Sequence, residues 1–359
     1  MQHTYDNRIA PTICYRVTSP APRDAWKQLM NHDPEAMPYQ SPEWNNAICA
    51  GGRLRDISRY YQFEDGCQIL VPLVTVTAIG PVDLVAGSYP DGCGMGGAVC
   101  CENTTSRHLR EVLKDLMALR FLSIRIRPNP LQGMRWSEAA GGLGLMTKPR
   151  RAHVIDLKDG FDHVYSKLFT KATRVSIRKA EREAVVVKSS SSGELIPLLH
   201  SLLETSVKRW AEQHNEPHWL AKFRFGRRDP IKKLYRIQEA LGASCKVWAA
   251  WVNGQPVAAS LVLMGKNVND ARGAIDRVAL GTSRANDLLQ KLSIEDACRA
   301  GCRFYHLGES GNSASLSHFK ERFGATHYDY SEIFIERFPI SRAEYLLKSG
   351  VKRAIGFKD

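Results

Sequence analysis

With 359 residues the chain has room for about two domains of ordinary size, and a composition of 43% hydrophobic and 24% charged residues is that of a globular protein rather than a long disordered one. The formal net charge of +13 makes a polyanionic partner a candidate, although a generally basic surface also accounts for it. No stretch approaches the ~20 apolar residues of a membrane span, the start Met-Gln-His-Thr-Tyr-Asp has no apolar leader, and nine cysteines without a pairing rhythm fit free thiols in a reducing, cytoplasmic setting.

In chain order, Pro22 precedes a predicted helix from Asp24 to Met30. Ser41-Pro42-Glu43 starts a second, with serine as cap and proline in the first helical position. Tyr39 and Trp44 flank this start and could line an acceptor site, while the plainer reading has Trp44 packing a domain edge. From Ile57 the pattern turns to β, with a strand to Phe63, a turn at Glu64-Asp-Gly66 and a second strand from Cys67 to Ile79 bent at Pro72. The Gly-rich stretch Ser88 to Gly97 lacks a Walker or dinucleotide pattern and reads as a turn or lid. Cys93, Cys100 and Cys101 lack CxxC spacing, so no metal site is expected. A helix from Ser106 to Arg120, with Leu109, Val112, Leu113 and Leu116 on one face, leads into a strand from Phe121 to Ile126.

His153 to Leu157 reads as a strand and Phe161 to Glu183 as one helix, with Val164, Leu168, Ala172 and Val175 inward. Lys171, Arg174, Arg178 and Arg182 then share its other face. Further helices are predicted from Glu194 to Glu212 and from Pro230 to Leu241. Between them lies Lys222-Phe-Arg-Phe-Gly-Arg-Arg228, where aromatics interleave with cations as a single-stranded nucleic-acid end requires, or as a surface loop with tucked phenylalanines would. Strands follow at Lys246–Val252, Val257–Met264 and Val268–Ile275, the first two joined by an Asn253-Gly254 turn. Asp270, Arg272, Asp276 and Arg277 flank the third and face either a cleft or an exposed edge. A turn at Gly281, a Leu-rich helix ending near Gly301, a strand from Cys302 to Leu307, a polar loop and a short helix stopped by Gly324 complete the pattern. Hairpins feeding a helix and one more strand thus occur twice. The chain is expected to be α/β, with mixed sheets carrying helices on both faces, as two copies of one unit spanning 1–150 and 151–359.

The second half resembles the Fem-type transferases of the GNAT acyltransferase superfamily. The likeness rests on Arg284-Ala-Asn286 before the Leu-rich helix, Phe319-Lys320 after the Gly-polar loop, and Arg174-Val-Ser-Ile-Arg178-Lys179-Ala. A Ser-Pro-x-Trp like that at Trp44 is also frequent in that family. The resemblance implies two tandem GNAT-like domains and amide formation from an aminoacyl-tRNA to an amine, such as a cell-wall precursor or a small natural-product amine. No heptad pattern is present for a coiled-coil arm. On this reading Arg174, Arg178, Lys179, Tyr39 and Trp44 hold the anionic acceptor. Phe319, Lys320, Arg284, Asn286, Arg224, Arg227 and Arg228 hold the donor tRNA.

The transfer needs a deprotonated nucleophile, a stabilised oxyanion and two reactants held together, and a substrate-assisted proton path is an alternative to a protein base. Lys320 can supply the positive charge, Glu309 and Asp276 are carried as catalytic carboxylates, and His306 and His318 are nearby alternatives as a base. A CoA-dependent GNAT enzyme has a second glycine in the loop at Gly281, where this chain has Ser283, and Arg277 stands four residues before Gly281 instead of three. The expected co-substrate is therefore aminoacyl-tRNA with no further cofactor, acetyl-CoA being the alternative. A non-catalytic RNA-binding protein is the reading from a different class.

Overall fold

The computed structural model describes residues 13–76, 84–90, 92–183, 185–311 and 313–358. Among them, eleven strands form one mixed sheet. Its order is Val186–Ser190, Cys245–Val252, Gln255–Met264, Val268–Ile275, Phe304–Glu309, Met146–Asp156, Thr326–Glu336, Ser123–Ile126, Val85–Gly87, Val74–Val76 and Leu54–Asp56. A second sheet joins Tyr15–Thr18, Arg59–Phe63, Gln68–Val71 and Val99–Cys100.

Cys245–Val252 and Gln255–Met264 are apolar on both faces because both faces are covered. Alternate side chains point opposite ways along a strand. Trp248 and Ala250 accordingly pack with Ile177, Ala180, Leu288 and Leu289 of two helices on one side. Val247 and Ala249 pack with Leu199, Leu203, Leu234 and Ile237 of two helices on the other. Asn253 and Gly254 turn the hairpin with φ of 50° and 78°, the paired positive values that a two-residue hairpin loop of this kind requires. In the first half, Leu109, Val112, Leu113 and Leu116 pack on Ile124 and Ile126 as their spacing predicts.

The repeat is visible in the pairing. Leu54–Asp56, Val74–Val76, Val85–Gly87 and Ser123–Ile126 run antiparallel, antiparallel, then parallel. Cys245–Val252, Gln255–Met264, Val268–Ile275 and Phe304–Glu309 do the same. Each unit then exchanges its next strand with the other. Met146–Asp156 pairs with Phe304–Glu309, and Thr326–Glu336 pairs with Ser123–Ile126. The exchanged strands pair with each other from Thr326↔Val154 to Phe334↔Met146, which welds the units into one sheet. The position between residues 150 and 151 falls inside the first of them.

Three elements differ from expectation. The span 161–183 is broken: Gly160–His163 and a wide turn at Val164–Leu168 end at an extended Phe169, and Thr170 caps a fresh helix Lys171–Arg182 through Thr173 N at 3.2 Å. The break resets the helical phase, so Thr173, Ile177 and Ala180 face inward while Ala172 and Val175 are exposed. The strand begun at Cys67 is cut by Pro72 into Gln68–Val71 and Val74–Val76, which serve different sheets; residues 77–79 lie outside the described set. Lys222–Arg228 lies within the helix His218–Arg228, not in a loop. The longest described helix, Ile196–Gln213, has 18 residues, so no long helical arm leaves the body among the described residues. No described helix is long and apolar enough to cross a membrane.

Candidate active site

Val268–Ile275 and Phe304–Glu309 share only two parallel pairs, Val268↔Tyr305 and Asn269↔His306, and then part. The register against Met146–Asp156 slips between His306 and Gly308, and Gly308 takes φ +70°, a left-handed value that favours glycine. Lys320 donates from Nζ to the carbonyls at this point, Gly308 O at 3.0 Å and Glu309 O at 2.8 Å.

Lys320 is aimed inward by the short helix Ala314–Glu321, which Ser313 caps through Leu316 N at 3.3 Å and Gly324 ends at φ +81°. Phe319 fixes the helix by packing on Phe323 at 5.2 Å, which in turn meets Phe169 at 5.1 Å. Only 5% of Lys320 is exposed. Burial pulls its ammonium down to about 8, against the opposing charges of Asp270 and Glu309.

Across the notch is Asp270. Burial raises its carboxyl to about 7, opposed by Lys320 and by a hydrogen bond from Gln290. Gln290 also donates to Tyr305 Oη at 3.2 Å, and Ser293 bonds the same hydroxyl. The helix Ala285–Arg299 thus presents a polar stripe, Gln290 and Ser293, toward the notch from a buried face that is apolar apart from these two and Asp287.

Beside the notch, Glu309 accepts hydrogen bonds from Tyr330 Oη and from Arg150 Nη1, the latter at 3.4 Å. Arg150 continues to Glu332, which is 1% exposed and also takes Arg127 at 3.2 Å. Glu309 is therefore held to the seam between the units.

The loop after Val268–Ile275 has most of its amides occupied. Asp276 Oδ1 accepts from Val278 N at 2.9 Å and Ala279 N at 3.1 Å, capping the turn Arg277–Leu280. Leu280 N, Gly281 N and Ser283 N bond backbone carbonyls, and Ala285 N bonds Ser283 Oγ. Asp287, 4% exposed, occupies the first turn of Ala285–Arg299 and pairs with Arg322.

Residues 169–321, which contain the whole notch, match the acetyltransferase (GNAT) domain family. The structure is similar to the crystal structure of FemX, with a TM-score of 0.67 and 12% identity over 92% of this chain and 99% of that one. The fold is Fem-like. A conserved protein of unknown function from Bacteroides thetaiotaomicron VPI-5482 is also similar, with a TM-score of 0.55 and 9% identity over 89% of this chain and 99% of that one. No curated protein matches in sequence.

On this Fem-like frame the candidates named from sequence separate. Lys320 and the Glu309 backbone meet in the notch. Asp276, just past the strand, serves its cap, and the carboxylate beside Lys320 is Asp270, six positions earlier and within Val268–Ile275. His306 is 2% exposed, neither ring nitrogen has a partner, and burial pushes its imidazole down to about 3, so it stays neutral. His318 is exposed. Arg284 is exposed with φ 60° just before Ala285–Arg299, and Asn286 is half-buried in that helix's first turn.

Arg174 is committed to backbone: its Nη1 donates to the carbonyls of Ser166 at 2.9 Å, Tyr165 at 3.3 Å and Phe169, closing the broken helix. Lys179 lies 3.4 Å from Glu183, and Arg178 is exposed on the outward face. Tyr39 and Trp44 are buried; Trp44 Nε1 donates to Cys93 O at 3.0 Å and the two rings meet at 4.8 Å. They brace the Gly-rich segment, which is the packing alternative for Trp44.

Arg224 pairs with Glu216, and Arg227 lies over the exposed Phe223 ring at 5.6 Å. Arg228 Nε donates to Asp229 at 2.7 Å. Asp229 is buried, which alone would raise its carboxyl, but Arg272 and Lys233 outweigh that and hold it at about 2.

Proposed function

We propose that this chain is an aminoacyltransferase that forms an amide between an RNA-borne amino acid and an acceptor amine, with the notch between Val268–Ile275 and Phe304–Glu309 as its site. The observation that carries this reading is the Asp270–Lys320 pair, a carboxylate poised near neutrality and a buried ammonium beside the point where the two strands part. Lysine has three N–H donors; two go to Gly308 and Glu309, leaving one for a ligand oxygen. In the reaction the acceptor nitrogen attacks the ester carbonyl carbon. Asp270 takes the proton the nitrogen sheds, and Lys320 faces the oxygen that becomes negative. The carbon–oxygen bond to the ribose then breaks, and the proton passes to the departing hydroxyl.

The donor assignment draws support from the loop at Gly281. Most of the amides that would cradle a pyrophosphate, those of Val278 to Gly281, Ser283 and Ala285, are already bonded within the chain, and Asp287 places a carboxylate in the first turn of the helix. Coenzyme A fits this loop poorly. The exposed cations on His218–Arg228 and the net charge of +13 suit an RNA backbone. Arg178, outward on its helix, remains the candidate for an anionic acceptor group.

The test is transfer of a labelled amino acid from aminoacyl-tRNA to a panel of amines, with and without ribonuclease, beside the same panel with acetyl-CoA. Ribonuclease-sensitive transfer is the expected result. Transfer that needs acetyl-CoA and ignores ribonuclease overturns the donor assignment, and tRNA binding without any transfer makes the chain a binding protein.

A further inference from the structure

The helix Ile340–Ala354 is built inside out. At about 3.6 residues per turn, Ala343, Leu346, Leu347, Gly350 and Val351 share one face, and that face meets solvent: Leu346 is 62%, Leu347 72% and Val351 52% exposed. Opposite it Ser341, Glu344 and Ser349 are half-buried, with the exposed Tyr345 and Lys352 between them. This attitude is fixed at both ends. Ser341 N donates to Glu336 Oε1 at 3.0 Å, and Arg125 Nη2 donates to Glu344 at 3.0 Å. Past the helix, Lys358 N donates to His214 O at 2.9 Å, and the Phe357 ring stacks on His214 at 5.2 Å. Polar contacts therefore hold the helix down by its polar side and turn the leucines outward.

We propose that this face docks on an anionic membrane surface. Arg342 and Arg353 lie along one border of the apolar stripe, and Lys348, ion-paired with Glu344, along the other. Leucines between cationic borders match a helix lying in the headgroup layer, its apolar side at the acyl boundary and its cations on lipid phosphates. A second copy of the chain is the poorer occupant. Isologous pairing sets the same cationic borders against each other, and the helix's own carboxylate, Glu344, is already bound to Arg125 and Lys348.

Co-sedimentation of the full chain with phosphatidylcholine vesicles, alone or mixed with phosphatidylglycerol, tests this. The chain is expected to pellet with the anionic vesicles only, and less at high salt. Leu346→Glu with Leu347→Glu is expected to abolish pelleting while leaving the melting temperature unchanged, because both positions are exposed. Arg342→Ser and Arg353→Ser are each expected to weaken binding about fivefold. Equal pelleting with both vesicle types, no pelleting, or full binding by the double glutamate variant overturns the proposal. So does a dimer in solution that the same variant disperses.

Discussion

The same parallel junction occurs in both units and has opposite fates. In the first unit, Val85–Gly87 and Ser123–Ile126 pair at all three positions, and the contact continues past them through Ser88 N to Arg125 O and Gly96 N to Arg127 O, both at 2.9 Å. A side chain at Gly87 would stand 2.8 Å from Arg125 O, so glycine lets the strands close. In the second unit the ladder stops after two pairs, and a lysine donates to the Gly308 and Glu309 carbonyls. One copy is zipped shut and spends its arginines on the seam at Glu332; in the other the strands part beside Asp270 and Lys320. If the proposed site is right, duplication here separates support from chemistry.

The largest expected effect comes from the open junction. Asp270→Asn should lower kcat on the order of 10³-fold if Asp270 is the base. Its carboxyl lies at about 7 in the fold against an ordinary 3.8, so its contribution to stability is present at low pH and is lost as pH rises through about 7. Urea titrations across that window should be flatter for the variant. Lys320, lowered from 10.5 to about 8, behaves oppositely: its contribution is present above 10.5 and lost as pH falls through about 8. A base that must be ionised and an ammonium that must stay charged give kcat/KM a narrow bell between about 7 and about 8. A flat profile would remove the pair from the chemistry.

Next is the closed copy. Glu332→Ala leaves the half-buried Arg127 and Arg150 at the seam without their shared carboxylate, and should cost about 3 kcal/mol in equilibrium unfolding. Turnover per folded molecule should change little, and a loss of turnover without a loss of stability would break the division of labour between the units. Lys320→Ala should lower kcat about 10²-fold with KM less affected, as for removal of one oxyanion donor. Equal loss in KM alone would make Lys320 a binding group for the donor phosphate.

Much of the fold is legible in the sequence because its signals are local. The Asn253-Gly254 hairpin, the Ser41 cap, the Gly324 stop and the leucine stripe of Ser106–Ala118 all form where spacing places them. The exchange of Met146–Asp156 with Thr326–Glu336 is not legible, since it depends on pairing between residues far apart in the chain. The phase of Lys171–Arg182 escapes a periodicity reading because Thr170, an ordinary cap residue, passes equally well for helix interior. In the site, Phe319-Lys320 carries a family pattern and stands out. Asp270 alternates with other charges on its strand, and only the parting of the strands distinguishes it from Asp276. The buried Gln290 and Ser293, polar positions on a leucine-rich helix, are the sequence signal that an inward face does more than pack.

The smallest effect concerns Arg174 and Arg178, two arginines that share one cationic face in the sequence pattern. Arg174 closes three carbonyls of the preceding turn, so Arg174→Ala should cost about 1–2 kcal/mol of stability whatever the substrate. Arg178 is exposed and on the outward side of the buried row Thr173, Ile177 and Ala180, so Arg178→Ala should leave stability within about 0.5 kcal/mol. If the acceptor's anion rests on this helix, that same variant should raise the acceptor KM severalfold at unchanged kcat, because a charge-assisted contact made equally in ground and transition states affects binding alone. An unchanged KM would mean that the outward face of Lys171–Arg182 is a solvated basic surface, and the acceptor must then be held by the seam rather than by the helix.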